Sequence, residues 1–142
     1  MRFLLLNGPN LNLLGKREPE VYGTTDFQQF YEELAAVYDD VANFHYEQNN
    51  VEGELINILQ AADNDFDAVI FNAGGYTHTS VAIADCIAAI STPVVEVHIS
   101  QPAAREEFRH NSLIAGKCVA SISGFGLDSY RLAVEGLLAQ ED

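Results

Sequence analysis

Glu96 and His98 stand two apart on what reads as an extended stretch, so their side chains share one face. A carboxylate beside an imidazole favours the protonated ring and fixes its orientation, which suits a general acid. A partner base could come from the opening segment Asn7 to Gly23, where Tyr22 lies near Arg17, because a close guanidinium favours phenolate over phenol. The alternative is an exposed loop tyrosine. Asn72, followed by Gly74 and Gly75, offers a side-chain amide and a backbone that can approach a ligand closely or take positive φ. Thr77-His78-Thr79-Ser80 reads as the entry to a helix whose free amides favour an anion, with Thr79 or Ser80 as cap and His78 as either a ligand donor or an ordinary polar residue.

The cations are scarce and clustered. Seven Lys and Arg against 21 Asp and Glu give a net charge of −14, yet Lys16 and Arg17 sit together and Arg105 and Arg109 lie four apart. Bringing these four to one site would suit a small anionic ligand such as a carboxylate; the alternative is local pairing with Glu18, Glu106 and Glu107. The same negative balance argues against nucleic acid and anionic membranes as partners.

Other chemistries find less support. His78, Glu96 and His98 could instead be three metal ligands, but no helical His pair or Cys set accompanies them. His45 and His110 read as structural. Gly8 to Gly15 followed by Lys16 is no phosphate loop, since Arg17 stands where a Ser or Thr would bind magnesium, and no dinucleotide glycine fingerprint follows the first strand. Cys86 and Cys118, far apart and without a paired-ligand motif, read as reduced, buried thiols.

These residues need elements to position them. Arg2 to Leu6 reads as a strand. Phe27 to Val41 carries apolar residues at helical spacing, with Thr25 and Gln28 as a capping box. A strand over Asn43 to Gln48 follows, then a helix with Val51, Leu55, Ile58, Leu59 and Ala62 on one face, and a buried strand over Asp67 to Phe71. Ser80 to Ile90 reads as helix, Pro93 to His98 as strand, Ala104 to His110 as a short helix, Cys118 to Ser123 as strand and Asp128 to Ala139 as a final helix. Five strands alternating with helices imply a doubly wound α/β sheet, flavodoxin-like, with order 2-1-3-4-5. Ligands then bind beyond the strands' carboxyl ends, between strands 1 and 3 where the winding reverses. The polar segments after strands 1, 3 and 4 obey that rule. The 142 residues, 48% hydrophobic, fit one domain over 1–142. No apolar run approaches bilayer length and Met1-Arg2 leads straight into a strand, so a cytoplasmic location is the expectation.

Asn7-Gly8-Pro9-Asn10, Gly15-Lys16-Arg17-Glu18-Pro19, Tyr22-Gly23, Asn72-Ala73-Gly74-Gly75, Thr77-His78-Thr79-Ser80, Glu96-Val97-His98-Ile99-Ser100 and Arg105-Glu106-Glu107-Phe108-Arg109 together resemble type II 3-dehydroquinate dehydratase. Glu52-Gly53-Glu54 before the second helix and Gly124-Phe125-Gly126 after the last strand extend the likeness over nearly the whole chain. The resemblance implies conversion of 3-dehydroquinate to 3-dehydroshikimate in the shikimate pathway, without metal, cofactor or Schiff-base lysine. It implies Tyr22 as base, Arg17 as the cation holding it ionised, Asn72 positioning a water for the enolate-like intermediate, and His98 as acid oriented by Glu96. Gly74, His78, Arg109 and the backbone of Ile99 and Ser100 would bind substrate. Asp85 would reach a neighbouring copy's site in a trimer, four trimers making a dodecamer. Gly15 to Gly23 would form a lid closed by substrate.

Departures from the family pattern fall at Gln101-Pro102-Ala103, Asn111, Leu113 and Ala84. They bear on lid closure and subunit contacts, not on the proton-transfer residues. Two readings of the same fold compete. A signalling receiver would need carboxylates where Asn7 and Asn72 stand, and a flavin carrier would give a coloured protein.

Overall fold

Phe3 to Leu6 and Ala68 to Phe71 are unbroken apolar runs, a pattern satisfied only in strands buried on both faces. The computed structural model describes residues 1–16, 20 and 26–140. In it these runs form the inner strands β1 (Arg2–Asn7) and β3 (Ala68–Asn72), joined by β2 (Asn43–Gln48), β4 (Val94–His98) and β5 (Ala120–Ser123). The five pair in parallel in the order β2-β1-β3-β4-β5, as the alternation of elements predicts.

Four α-helices cover the sheet among the described residues: α1 (Phe27–Val37), α2 (Glu52–Ala62), α3 (Val81–Ala89) and α4 (Asp128–Ala139). Because strand side chains alternate, Phe3 and Leu5 join Phe27, Leu34, Tyr130 and Val134 in one core layer. Leu4 and Leu6 join Leu55, Leu59, Ile83 and Ile87 in the other. Each such fully buried aliphatic chain stabilises the fold by about 1.5–3 kcal/mol. No helix among the described residues is long and apolar enough to cross a membrane.

Four local expectations need correction. Helix α1 stops at Val37, leaving Val37 69% and Val41 47% exposed, although Tyr38 just past its end is buried and carries the apolar stripe one turn beyond Leu34. Its cap is Asp26, whose carboxylate accepts from the Gln29 amide at 2.9 Å, while Gln28 bonds Glu32 one turn on instead of closing a capping box. Thr25 lies outside the described residues. The segment Ala104 to His110 is not an α-helix but two 3-10 turns, Pro102–Ala104 and Glu107–Arg109, separated by Arg105 in extended conformation. Finally, Glu52-Gly53-Glu54 lie within the first turn of α2, where carboxylates complement the helix dipole, and exposed Val51 precedes it.

The turn out of β1 is set by close approach. The Gly8 amide donates to the Asn72 carbonyl at 2.7 Å, and a Cβ on Gly8 would stand 2.6 Å from the Ala73 carbonyl oxygen. Gly8→Ala should therefore destabilise the protein by about 1–3 kcal/mol in urea denaturation, whereas Gly53→Ala, with open space at its Cβ, should not destabilise it. Equal behaviour of the two would contradict this account of the turn.

Candidate functional site

Winding reverses between β1 and β3, where Asn7 and Asn72 face each other in register at the strand ends. Both are buried, so their amides depend on partners inside the protein, and among the described residues Asn7 Nδ2 has none. The Gly74 amide can only donate, which sets the Asn72 oxygen Oδ1 toward it at 3.0 Å. Nδ2 of Asn72 then donates to the Tyr130 hydroxyl at 3.0 Å, and that hydroxyl donates to Oδ1 of Asn7 at 2.8 Å. Tyr130 comes from α4 and is fully buried; burial pushes its phenol far up, so it acts as a neutral relay. Gly74 takes φ +60°, close against Pro9, which a Cβ-bearing residue would strain.

The next strand end supplies the acid pair. His98 Nε2 donates to Oε2 of Glu96 at 2.8 Å, leaving Nδ1 as the ring nitrogen not committed to the carboxylate. Glu96 is 2% exposed and also accepts from Ser112 Oγ and Ser121 Oγ, each at 2.7 Å. Burial alone would raise its pKa, but these three hydrogen bonds and the charge of His98 outweigh burial and hold the carboxyl below its usual range. His78 lies beside the pair, its ring 6.5 Å from that of His98 and nearly parallel. Its Nδ1 is 2.8 Å from the Asn111 carbonyl, so Nδ1 carries the proton and Nε2 remains.

Asn72, Gly74, His78, His98, Ile99, Ser100, Arg105 and Arg109 thus come together around a crevice of about 100 Å³, with Pro9 and Asn10 on its β1 side. A larger groove of about 410 Å³ lies toward the other end of the sheet, between β2 and α2, but its arginine, Arg2, is already paired with Asp65. The convergent polar groups mark the smaller crevice as the site.

Of the four clustered cations, Arg105 and Arg109 line this crevice, while Lys16 lines a neighbouring groove with Tyr46 and Gln48. Arg17, Tyr22 and the rest of the expected lid lie outside the described residues, apart from Gly15, Lys16 and Glu20. Local pairing holds alongside the crevice role: Arg109 Nε donates to Glu106 at 3.1 Å, and Arg105 Nε stands 3.9 Å from the same carboxylate. Arg105 also reaches Ser100 Oγ at 3.5 Å. Asp85 is exposed on α3 and does not line its own chain's crevice. Of Thr79 and Ser80, Ser80 is the cap of α3, accepting from the Ile83 amide. His45 stacks on Phe66 far from the site, and His110 Nε2 contacts the Arg105 carbonyl. Among the described residues no three His, Cys, Asp or Glu side chains are grouped as a metal would need. Both cysteines are free; burial and the nearby Glu96 charge push the Cys118 thiol up to about 12.

Tyr130, Ser112 and Ser121 are the participants that sequence patterns did not single out as functional. Tyr130 carried one signal, a hydroxyl on an inward-facing helix stripe, which needs a buried partner.

A doubly wound sheet with its polar groups gathered at the β1/β3 reversal defines a flavodoxin-like α/β protein with a small-molecule site. The chain belongs to the class II dehydroquinases: the family model described as Dehydroquinase class II matches residues 1–138. A protein named 3-dehydroquinate dehydratase from Exiguobacterium sp. is 53% identical over 97% of this chain and 94% of its own length. One of the same name from Prochlorococcus marinus is 45% identical over 98% and 97%. The crystal structure of type II dehydroquinase from Butyrivibrio crossotus superposes with a TM-score of 0.93 at 38% identity, covering 97% of each chain.

Two outcomes follow from these bonds. Tyr130→Phe leaves Asn7 Oδ1 and Asn72 Nδ2 buried without their partner and should cost about 1–3 kcal/mol in urea denaturation. Glu96, held below its unfolded value, contributes stability that is present above the usual carboxylate range and lost as pH falls through the folded value. Glu96→Gln should flatten that acid part of the stability curve measured by thermal denaturation.

Proposed function

We propose that this chain removes water from 3-dehydroquinate to give 3-dehydroshikimate, the step its relatives are named for, in the shikimate pathway. The observation that carries the reading is the buried Glu96 and His98 pair opening on the strand-end crevice beside Asn72 and two arginines. Tyr22, ionised by the Arg17 charge, takes the proton next to the ketone. The electron pair of that C–H bond moves toward the ketone oxygen, giving an enolate-like intermediate stabilised by a water that Asn72 helps position. Collapse of the enolate forms the ring double bond and breaks the bond to the departing hydroxyl. His98 delivers its proton to that hydroxyl, which leaves as water, and Glu96 stabilises the imidazolium beforehand. The proton on Tyr22 and the one lost by His98 are rebalanced through solvent.

Gly74, His78, Arg109 and the backbone of Ile99 and Ser100 bind the substrate's hydroxyls and carboxylate in this reading. Every step is a proton transfer or a charge stabilisation by side chains, so neither a metal nor a Schiff-base lysine is required; Lys117 lies in the 3-10 turn Ala115–Lys117 before β5 and does not line the crevice. The exposure of Asp85 outside its own crevice supports its assignment to a neighbouring copy in a trimer, and four such trimers to a dodecamer.

The direct check is absorbance of the conjugated enone on adding 3-dehydroquinate; no signal from folded protein would refute the activity. Tyr22→Phe, Arg17→Ala and His98→Ala should each lower kcat by about 10²- to 10⁴-fold with KM changed far less, since each acts mainly on the transition state. Near-wild-type kcat in any of them would remove that residue from its role.

A further inference from the structure

Glu96 is an unusual acceptor for so buried a position. Its carboxylate is 2% exposed, yet three donors converge on it: His98 and Ser112 on Oε2, Ser121 on Oε1. The two serines come from different elements. Ser121 stands directly opposite Glu96 in the β4–β5 register, on the exposed edge strand. Ser112 comes from the segment that follows the second 3-10 turn. Its Oγ also accepts from the Ala115 amide at 3.0 Å, so its single proton is committed to Glu96 and its rotor is fixed.

We propose that Ser112 and Ser121 are positioning residues for the acid, two hydroxyls that keep Glu96 ionised and aimed so that it engages Nε2 of His98 and leaves Nδ1 for the crevice. This rests on reading His98 as the general acid. A buried carboxylate with only the imidazole as donor has an easier alternative, taking the imidazole proton and leaving a neutral pair. A neutral pair cannot protonate a departing hydroxyl through Nδ1. The serine donors stabilise the carboxylate against that transfer, and because they sit on both oxygens they also fix its plane.

The surroundings contain little else that could do this. On the other side of Glu96 the β3 register partner is Phe71, which donates nothing from its side chain. Cys118, with its thiol pushed up to about 12, stays neutral nearby. A cavity of about 240 Å³ adjoins Glu96, and its charged or titratable lining besides the acid pair is His78, Arg109 and His110. Each histidine turns one ring nitrogen to a main-chain carbonyl instead of to Glu96, His78 Nδ1 to Asn111 and His110 Nε2 to Arg105. Arg109 is turned to Glu106.

The test uses Ser112→Ala, Ser121→Ala, the double variant and the Thr replacements, in the full-length protein. The ¹³C resonance of the Glu96 carboxyl, assigned by its disappearance in Glu96→Gln, is titrated with pH in each. The double variant should move the Glu96 midpoint upward by roughly one to two pH units, each single variant by less, and Thr should restore it by supplying the same hydroxyl. The acid limb of the kcat profile should rise with it, and kcat near neutral pH should fall about tenfold with KM within about twofold. An unmoved carboxyl midpoint in the folded double variant, or a fall in kcat without movement of the acid limb, would overturn the proposal. Should wild-type protein not turn over 3-dehydroquinate, the activity reading fails while the carboxyl titration still decides whether the serines hold Glu96 ionised. If the double variant does not fold, the two single variants carry the same comparison.

Discussion

The pairing of β1 with β3 constrains everything around the site. It sets Asn7 against Asn72 at the point where the sheet reverses its winding, and it brings Gly8 so close to β3 that no side chain fits. Two buried amides at adjacent strand ends call for partners inside the protein, and a third group serves one atom of each, Asn7 Oδ1 and Asn72 Nδ2, while Asn7 Nδ2 has none among the described residues. That group is the Tyr130 hydroxyl, and its demand for a place between the two strand ends fixes how α4 lies on the sheet.

The acid pair obeys a different logic on the opposite face. Glu96 interrupts the valines of β4 and is tolerated there because donors surround its charge. Covering this face near β4 and β5 falls to the irregular chain between His98 and Ala120, since α2 and α3 cover the inner strands. Irregular chain can offer hydroxyls and carbonyls at close range where a regular helix would present apolar side chains. The His78 contact to Asn111 and the His110 contact to Arg105 are of the same kind, ring nitrogens set by main-chain oxygens of that segment. Gln101, one of the departures from the family pattern, accepts from Ser123 and so ties the loop after β4 to the end of β5.

Much of this was legible in the sequence, for reasons that differ by element. The buried strands announced themselves through Phe3 to Leu6 and Ala68 to Phe71, because being covered on both faces removes every polar alternative. The strand order followed from alternation, and with it the gathering of Asn72, His78, His98 and Arg109 at one crevice. Periodicity misled at Val37 and Val41, which keep helical spacing yet stand exposed, while Tyr38 between them lies in the core. It misled again over Ala104 to His110, whose composition suits a helix but whose chain extends at Arg105. The serines left no trace in pattern or spacing: Ser121 meets Glu96 only through strand register, 25 positions away.

Tyr130 meets Asn7 across 123 positions and Asn72 across 58. Contacts this distant in sequence close large loops, and the entropy of that closure slows their formation. A chain emerging during synthesis can pair β1 with β3 and set Asn72 Oδ1 toward the Gly74 amide long before α4 exists, but Asn72 Nδ2 gains its Tyr130 acceptor only when the last helix docks. A nascent or truncated chain lacking the final helix would therefore carry the strands of the site without the hydroxyl that joins their two asparagines.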